Sequence, residues 1–112
     1  MTVTVKVLHQ GVQIALGPAE TTVYTAPAST RTIIDKLTVL NIGAAPAVIA
    51  LYIVPSGLTT DPVYGVAKKT IAVDETYTFP EIVGHILAPG DFIIATSSTN
   101  FTGLRASGRE VT

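Results

Sequence analysis

The chain alternates between short apolar segments and turn sequences, and the apolar segments have the two-residue period of β-strands. In residues 46–54 (PAVIALYIV), β-branched and aromatic side chains are frequent, which favours a pleated strand. Successive side chains of a strand point to opposite faces, so Ile49, Leu51 and Ile53 are predicted to face the core. The opposite face of this strand is apolar as well and holds Val48, Ala50, Tyr52 and Val54.

Turn sequences divide the whole chain into such segments. GPAE, NIGAAP, PSG and APGD carry the Pro, Gly, Asn and Asp residues that turns prefer. No segment has the apolar period and the terminal caps of a helix. The pattern predicts a single all-β domain, an antiparallel β-sandwich of jelly-roll type, over residues 19–112, preceded by an N-terminal arm or a strand pair over residues 1–18. The predicted strands are residues 2–8, 11–16, 21–25, 31–42, 46–54, 63–72, 75–79, 83–87, 91–97 and 101–111.

Residues 37–60 (LTVLNIGAAPAVIALYIVPSGLTT) carry no charge, which raises the question of a membrane span. Asn41, Gly43 and Pro46 interrupt this stretch with turn chemistry and leave two apolar runs that are too short to span as helices. We therefore predict no contact with a membrane, and a hairpin of two strands joined by a short loop. In the first strand of this hairpin, one predicted face holds Ile33, Leu37 and Val39, and the other holds Ile34, Lys36, Thr38, Leu40 and Ile42.

The composition indicates a protein that buries much of its surface against neighbours. Only 13% of the 112 residues are charged, against roughly 25% in an ordinary soluble domain, and the mean hydropathy is +0.49. The net charge is −1 and the basic residues are scattered, so no nucleic-acid partner is expected. Cysteine is absent, which excludes disulfides and thiolate metal sites within these residues.

No catalytic, cofactor-binding or metal-binding residue is predicted. His9 and His85 lie in different predicted strands without the spacing of a zinc site, and acids such as Asp74 and Asp91 lie in turns, where they bond to the turn backbone. No serine lies in a G-x-S-x-G sequence, and the glycines form no phosphate-binding loop. The tyrosines and phenylalanines are spread over several strands without tryptophan, which leaves a carbohydrate-binding module as an alternative function.

The second apolar face of residues 46–54 is the remaining signal. A sheet face that meets water is normally polar, so this face is expected to be covered by a second layer, an arm or a neighbouring subunit. Burying ~200–300 Å² of apolar surface here would contribute ~5–8 kcal/mol, before entropy costs. The candidate assembly interface consists of Val48, Ala50, Tyr52 and Val54.

The order of three segments in residues 21–98 resembles a known group of proteins. TTVYTAPASTRTIIDKLTVLNIG, VIALYIVPSG and ILAPGDFIIATSS are similar to the small β-sandwich structural proteins of tailed-bacteriophage virions. The resemblance implies a capsid decoration or cement protein, a homotrimer that binds the major capsid protein or other virion proteins on the surface of the virion. A tail, baseplate or fibre component is the alternative that it leaves open, and it brings no catalytic residues with it.

Overall fold

The computed structural model describes residues 1–13, 20–99 and 102–112. In this part of the chain, strands form nearly all the regular structure, and a single 3₁₀ turn, Pro62–Tyr64, precedes the fifth strand. None of these residues belongs to a helix that is long and apolar enough to cross a membrane. The strands are β1 (Val3–Gln13), β2 (Thr21–Thr25), β3 (Arg31–Asn41), β4 (Ala47–Val54), β5 (Gly65–Ile71), β6 (Thr76–Thr78), β7 (Ile86–Leu87), β8 (Phe92–Ser97) and β9 (Thr102–Val111).

The strands form two antiparallel sheets. The first sheet has the order β1-β9-β3-β6, with β7 also paired to β3, and the second has the order β2-β8-β4-β5. Both sheets contribute alternate apolar side chains to one core, in which Leu37, Leu51 and Phe79 are fully buried. The predicted all-β antiparallel sandwich is therefore confirmed.

The connection between β3 and β4 carries the chain from one sheet to the other. β3 pairs with β9, β6 and β7, whereas β4 pairs with β5 and β8, so the predicted hairpin is wrong. The buried Asn41 side chain fixes this crossing: its Nδ2 donates to the carbonyl oxygens of Ala45 (2.8 Å) and Ile71 (3.1 Å), and its Oδ1 accepts from the Gly43 N–H (3.0 Å). Both strands supply side chains to the core because they face each other across it.

A β-bulge in β3 corrects the predicted faces of that strand. The pairing with β9 shifts between Ile34 and Lys36, which adds one residue to β3 and reverses the alternation beyond that point. Ile34 is consequently fully buried with Leu37 and Val39, and Ile33 is only half-buried on the other face. The prediction that Ile33 shares a face with Leu37 and Val39 is wrong.

The N-terminal residues form one edge strand of the first sheet. β1 pairs with β9 along its length, with irregularities between Val7 and His9 and between Gln10 and Val12. The two predicted segments 2–8 and 11–16 are thus one strand over residues 3–13. Residues 14–18, the rest of the predicted arm or strand pair, lie outside the described residues, and an arm that reaches a neighbouring subunit stays a prediction.

Candidate assembly surface

The outer face of the second sheet carries most of the residues predicted to form an interface. In β4, Ile49 and Leu51 are fully buried, and Val48, Ala50 and Tyr52 are half-buried on the opposite face. We call these three residues the β4 stripe. Val54, the fourth predicted member, has no exposed surface because the chain buries it completely, so it cannot contact a neighbour.

Two shallow grooves border the β4 stripe. The Tyr52 ring lies against Gly65, where an added Cβ atom would be 3.7 Å from the ring. Lys68 and Glu20 place opposite charges at the border of the stripe, an arrangement that fits the apolar centre and polar rim of protein interfaces. The first groove is lined by Ala50, Tyr52, Pro62, Gly65, Ala67 and Lys68, and the second by Glu20, Val48, Ala50, Tyr52, Lys68, Thr96, Ser97 and Ser98.

The first sheet also exposes apolar side chains. Leu40 and Ile42 line a groove of about 430 Å³ on its outer face, together with polar groups such as Thr38 and Arg105. On β1, the side chains of Val3, Val5 and Val7 are exposed as well. The sequence analysis did not assign these residues to a surface. For Val3, Val5 and Val7, the alternation of valine in TVTVKV could have indicated an apolar strand face.

A polar cluster joins the two sheets where β2 meets β1 and β9. The Tyr24 hydroxyl donates to Glu110 Oε2 and lies 2.9 Å from the Thr32 hydroxyl, and Lys6 Nζ lies 3.2 Å from the same Glu110 oxygen. Burial, helped by the bond to Glu110, raises the pKa of Tyr24 to about 12. The hydrogen bond from Tyr24 and then the contact with Lys6 lower the pKa of Glu110, against the effect of its desolvation. The cluster is therefore a structural link that favours a neutral tyrosine and an ionised glutamate.

The histidines and acids are the side chains on which the prediction of no catalytic or metal-binding site depends. His9 Nδ1 lies 3.1 Å from the Val23 carbonyl oxygen, and His85 is exposed directly before β7. The two Asp91 carboxylate oxygens accept from the backbone N–H groups of Ser56 and Ala88, each at 3.0 Å, as expected for a turn acid. Within residues 1–13, 20–99 and 102–112, no three His, Asp or Glu side chains lie close enough together to hold a metal ion.

In the described part of the chain, every tyrosine and phenylalanine side chain is buried or half-buried. Tyr24 and Phe79 are buried, and the Tyr77 ring packs edge-on against Phe79 with the centroids 4.9 Å apart. Tyr52, in the β4 stripe, is half-buried. Phe101 lies outside the described residues. The Tyr52 ring is therefore the aromatic group that belongs to the candidate surface.

Comparison with solved structures defines the class of fold. A protein of Bacillus endospore appendages, which form disulfide-linked pili, has a TM-score of 0.53 and 14% identity over 99% of this chain and 88% of its own. Infectious bursal disease virus, Gx strain, gives a TM-score of 0.45 and 16% identity, and its VP2 subviral particle gives 0.40 and 14%; this chain spans 32% of either viral chain. The TM-score of the first similarity supports a shared fold, and at 14% identity it shows the fold alone. No protein-family model matches the chain, and no curated protein sequence matches it.

Proposed function

We propose that this chain is a non-enzymatic structural subunit that assembles with copies of itself and with other proteins of a virion or an extracellular structure. The observation that carries the proposal is the β4 stripe, an apolar strip on the outer face of a sheet where water-exposed side chains are normally polar. Its charged border and the low charge of the chain favour a surface that is covered in the working state.

The specific role that we propose is decoration or cementing of a tailed-bacteriophage capsid. The resemblance in residues 21–98 supports this role, in which a homotrimer would bind the major capsid protein through the β4 stripe. The pilus protein of similar fold is also part of an assembly, which agrees with the general proposal. The β4 stripe would serve equally as an interface in a tail, baseplate or fibre component, which is the alternative role. Counting the copies per particle by cryo-electron microscopy separates these roles, because a decoration protein is present in hundreds of copies and a tail-tip protein in a few.

A carbohydrate-binding module remains the second candidate, because the Tyr52 ring lines a groove beside Lys68 that a sugar ring could enter. A glycan array tests this alternative. Binding of a defined sugar that Tyr52→Ala abolishes would favour the module over the structural subunit.

Substitutions on the two faces of β4 test the proposal directly. Tyr52→Asp places a charge in the β4 stripe and should reduce association while the fold is retained. Leu51→Asp should abolish folding, because burying an unpaired carboxylate costs several kcal/mol against a total stability of ~5–15 kcal/mol. Thr59→Asp, at an exposed loop position, is the control for the added charge.

Light scattering over a range of concentrations measures association, and circular dichroism measures folding. The proposal predicts that wild type and Thr59→Asp associate and that Tyr52→Asp stays folded but associates less. A wild-type chain that is monomeric at micromolar concentration and does not bind particles contradicts it. Loss of the fold in Tyr52→Asp, as complete as in Leu51→Asp, would show that the stripe belongs to the core.

A further inference from the structure

The outer edge of β1 presents the backbone groups of three valines, with which no described strand pairs. Thr2 and Thr112 exchange two backbone hydrogen bonds, of 3.0 and 2.9 Å, at the end of the β1–β9 ladder. Hydrogen-bonded pairs alternate along an antiparallel ladder, so every second residue of β1 after Thr2 also turns its N–H and C=O toward β9. Val3, Val5 and Val7 therefore direct their N–H and C=O groups away from β9, and no described strand pairs along that side.

This part of the edge lacks the features that usually prevent strands from pairing. Edge strands are commonly protected by proline, by charge or by bulges. Here the irregularities of β1 come only after Val7, and residues 1–13 contain no proline. The ammonium group of Lys6 is held by Glu110 within the chain, at 3.2 Å. The valine side chains are 50%, 81% and 41% exposed at Val3, Val5 and Val7, so this edge is both open and apolar.

We propose that residues 3–7 pair antiparallel with the same segment of a second copy of this chain, with Val5 opposite the partner's Val5 on a two-fold axis. In this register Val3 lies opposite the partner's Val7, and all the outward N–H and C=O groups of the three valines are satisfied. The six valines lie on one face of a continuous sheet, where cross-strand β-branched pairs are favourable. The occupant is a second copy because the three valines of the edge are placed symmetrically about Val5 and its one charge, on Lys6, is paired with Glu110.

The two neighbouring registers, centred on Thr4 and on Lys6, are less favourable than the register centred on Val5. Centring the pair on Thr4 leaves Val7 opposite the partner's Met1, outside the valine ladder. Centring it on Lys6 places that ammonium group opposite the partner's Lys6, and directly opposed like charges destabilise a ladder. The register centred on Val5 instead places Lys6 opposite the partner's Thr4.

The contact is expected to be weak in dilute solution. Five residues of one strand bury much less than the roughly 800 Å² per partner of a standard interface. The pair therefore forms transiently between free chains, where a disulfide can trap it. The β1 pair uses an edge of the first sheet, whereas the β4 stripe lies on the outer face of the second sheet. An experiment can therefore refute one of the two proposed contacts without refuting the other.

Because the chain contains no cysteine, single cysteine substitutions test the pairing by disulfide formation. Opposed residues of a hydrogen-bonded antiparallel pair have Cα atoms about 5.5 Å apart, which a disulfide can span. Val5→Cys should form a cross-linked dimer under mild oxidation about tenfold or more faster than Val63→Cys, a control at a valine that is 75% exposed. Non-reducing electrophoresis measures the rate, and circular dichroism confirms that both variants are folded.

Two further variants test the register. Val3→Cys and Val7→Cys should each dimerise slowly alone, and a mixture of the two, one of them ¹⁵N-labelled, should give the mixed dimer by mass spectrometry. Adding Tyr52→Asp to Val5→Cys should leave the rate unchanged. The proposal is overturned if Val5→Cys cross-links no faster than Val63→Cys, if Val3→Cys alone cross-links as fast as Val5→Cys, or if Tyr52→Asp abolishes the cross-link.

Discussion

Removal of the Asn41 side chain should destabilise the fold at the point where the chain crosses between the sheets. Asn41 ends β3 and is fully buried, and its amide makes three hydrogen bonds. The bond to the Ile71 carbonyl is buried, and the bonds to Ala45 and Gly43 are partly buried. Asn41→Ala removes all three and leaves two carbonyl groups and one N–H group without this partner.

The magnitude follows from the burial of each bond. A buried polar group that loses its partner costs about 1–3 kcal/mol, which applies to the Ile71 carbonyl. The two partly buried bonds cost about 0.5–1.5 kcal/mol each, because water can replace the amide there. We therefore expect Asn41→Ala to lower the free energy of unfolding by about 2–6 kcal/mol, a large share of the ~5–15 kcal/mol of a typical domain.

Urea denaturation followed by circular dichroism and tyrosine fluorescence measures the change. Asn41→Asp is the close variant: it keeps an acceptor for the Gly43 N–H but places a carboxylate against two carbonyl oxygens, so it should be less stable than Asn41→Ala at neutral pH. Acid should restore part of its stability, because a protonated carboxyl group can donate one hydrogen bond. Thr78→Ala, which removes an exposed hydroxyl pair with Thr38, is the control and should change stability by less than ~0.5 kcal/mol.

A loss below about 1 kcal/mol in Asn41→Ala, with an unchanged denaturant slope, would refute the argument that the amide holds the crossing. Equal stability of the Asp and Ala variants at every pH would also refute it, since the carboxylate would then not meet the carbonyl oxygens.

Two further predictions concern β9. Gly108→Ala should lower the melting temperature, at a cost of about 1–3 kcal/mol, because the added methyl group would overlap the Ile33 carbonyl oxygen. Gly103→Ala, in the same strand, is the control and should be close to neutral, because the space at its Cβ position is open. Equal effects of the two substitutions would contradict the packing argument. The fold lowers the pKa of Glu110, so the contribution of this group is present above its unfolded pKa and is lost as the pH falls through the folded value. Conversely, the pKa of Tyr24 is raised from 10.0 to about 12, so its contribution is lost as the pH rises across that interval. Denaturation curves at several pH values should show that Glu110→Gln flattens the acid dependence and Tyr24→Phe flattens the alkaline dependence, and an unchanged profile in either variant would contradict the corresponding assignment.

The sequence predicted the class of fold and the positions of most strands because alternation and turn chemistry are local signals. It did not predict which sheet a strand joins. NIGAAP has the composition of a hairpin turn, and only the buried position of Asn41, bonded to Ile71 in a distant strand, distinguishes a crossing from a hairpin. The bulge in β3 was equally hidden, because an extra residue such as Asp35 leaves no mark in an alternating pattern that already contains polar residues.

Alternation, a local signal, was enough to predict most of the candidate surface on β4. It could not predict features that depend on how distant strands pack. Two apolar faces on β4 are visible in the sequence, so Val48, Ala50 and Tyr52 could be assigned to the outer face. Val54 is fully buried and pairs with Phe92 of β8, a non-local arrangement that alternation does not report. For Val3 and its neighbours in β1, the pattern predicted a strand, but its position at an edge is a property of the sheet order.

The symmetry of the two proposed contacts limits the assemblies that they can build. Pairing of β1 with a second β1 is isologous, so by itself it closes as a dimer and extends no further. Growth into a shell or a filament then requires a second contact, and the β4 stripe lies in the other sheet, where the β1 pair leaves it available. If the stripe binds a different protein, the β1 contact only links bound copies in pairs; if it binds a non-equivalent patch on another copy, the contacts propagate. The two cases separate when Val5→Cys dimers are purified and mixed with wild-type chain, because only the second case yields particles that continue to grow as the concentration rises.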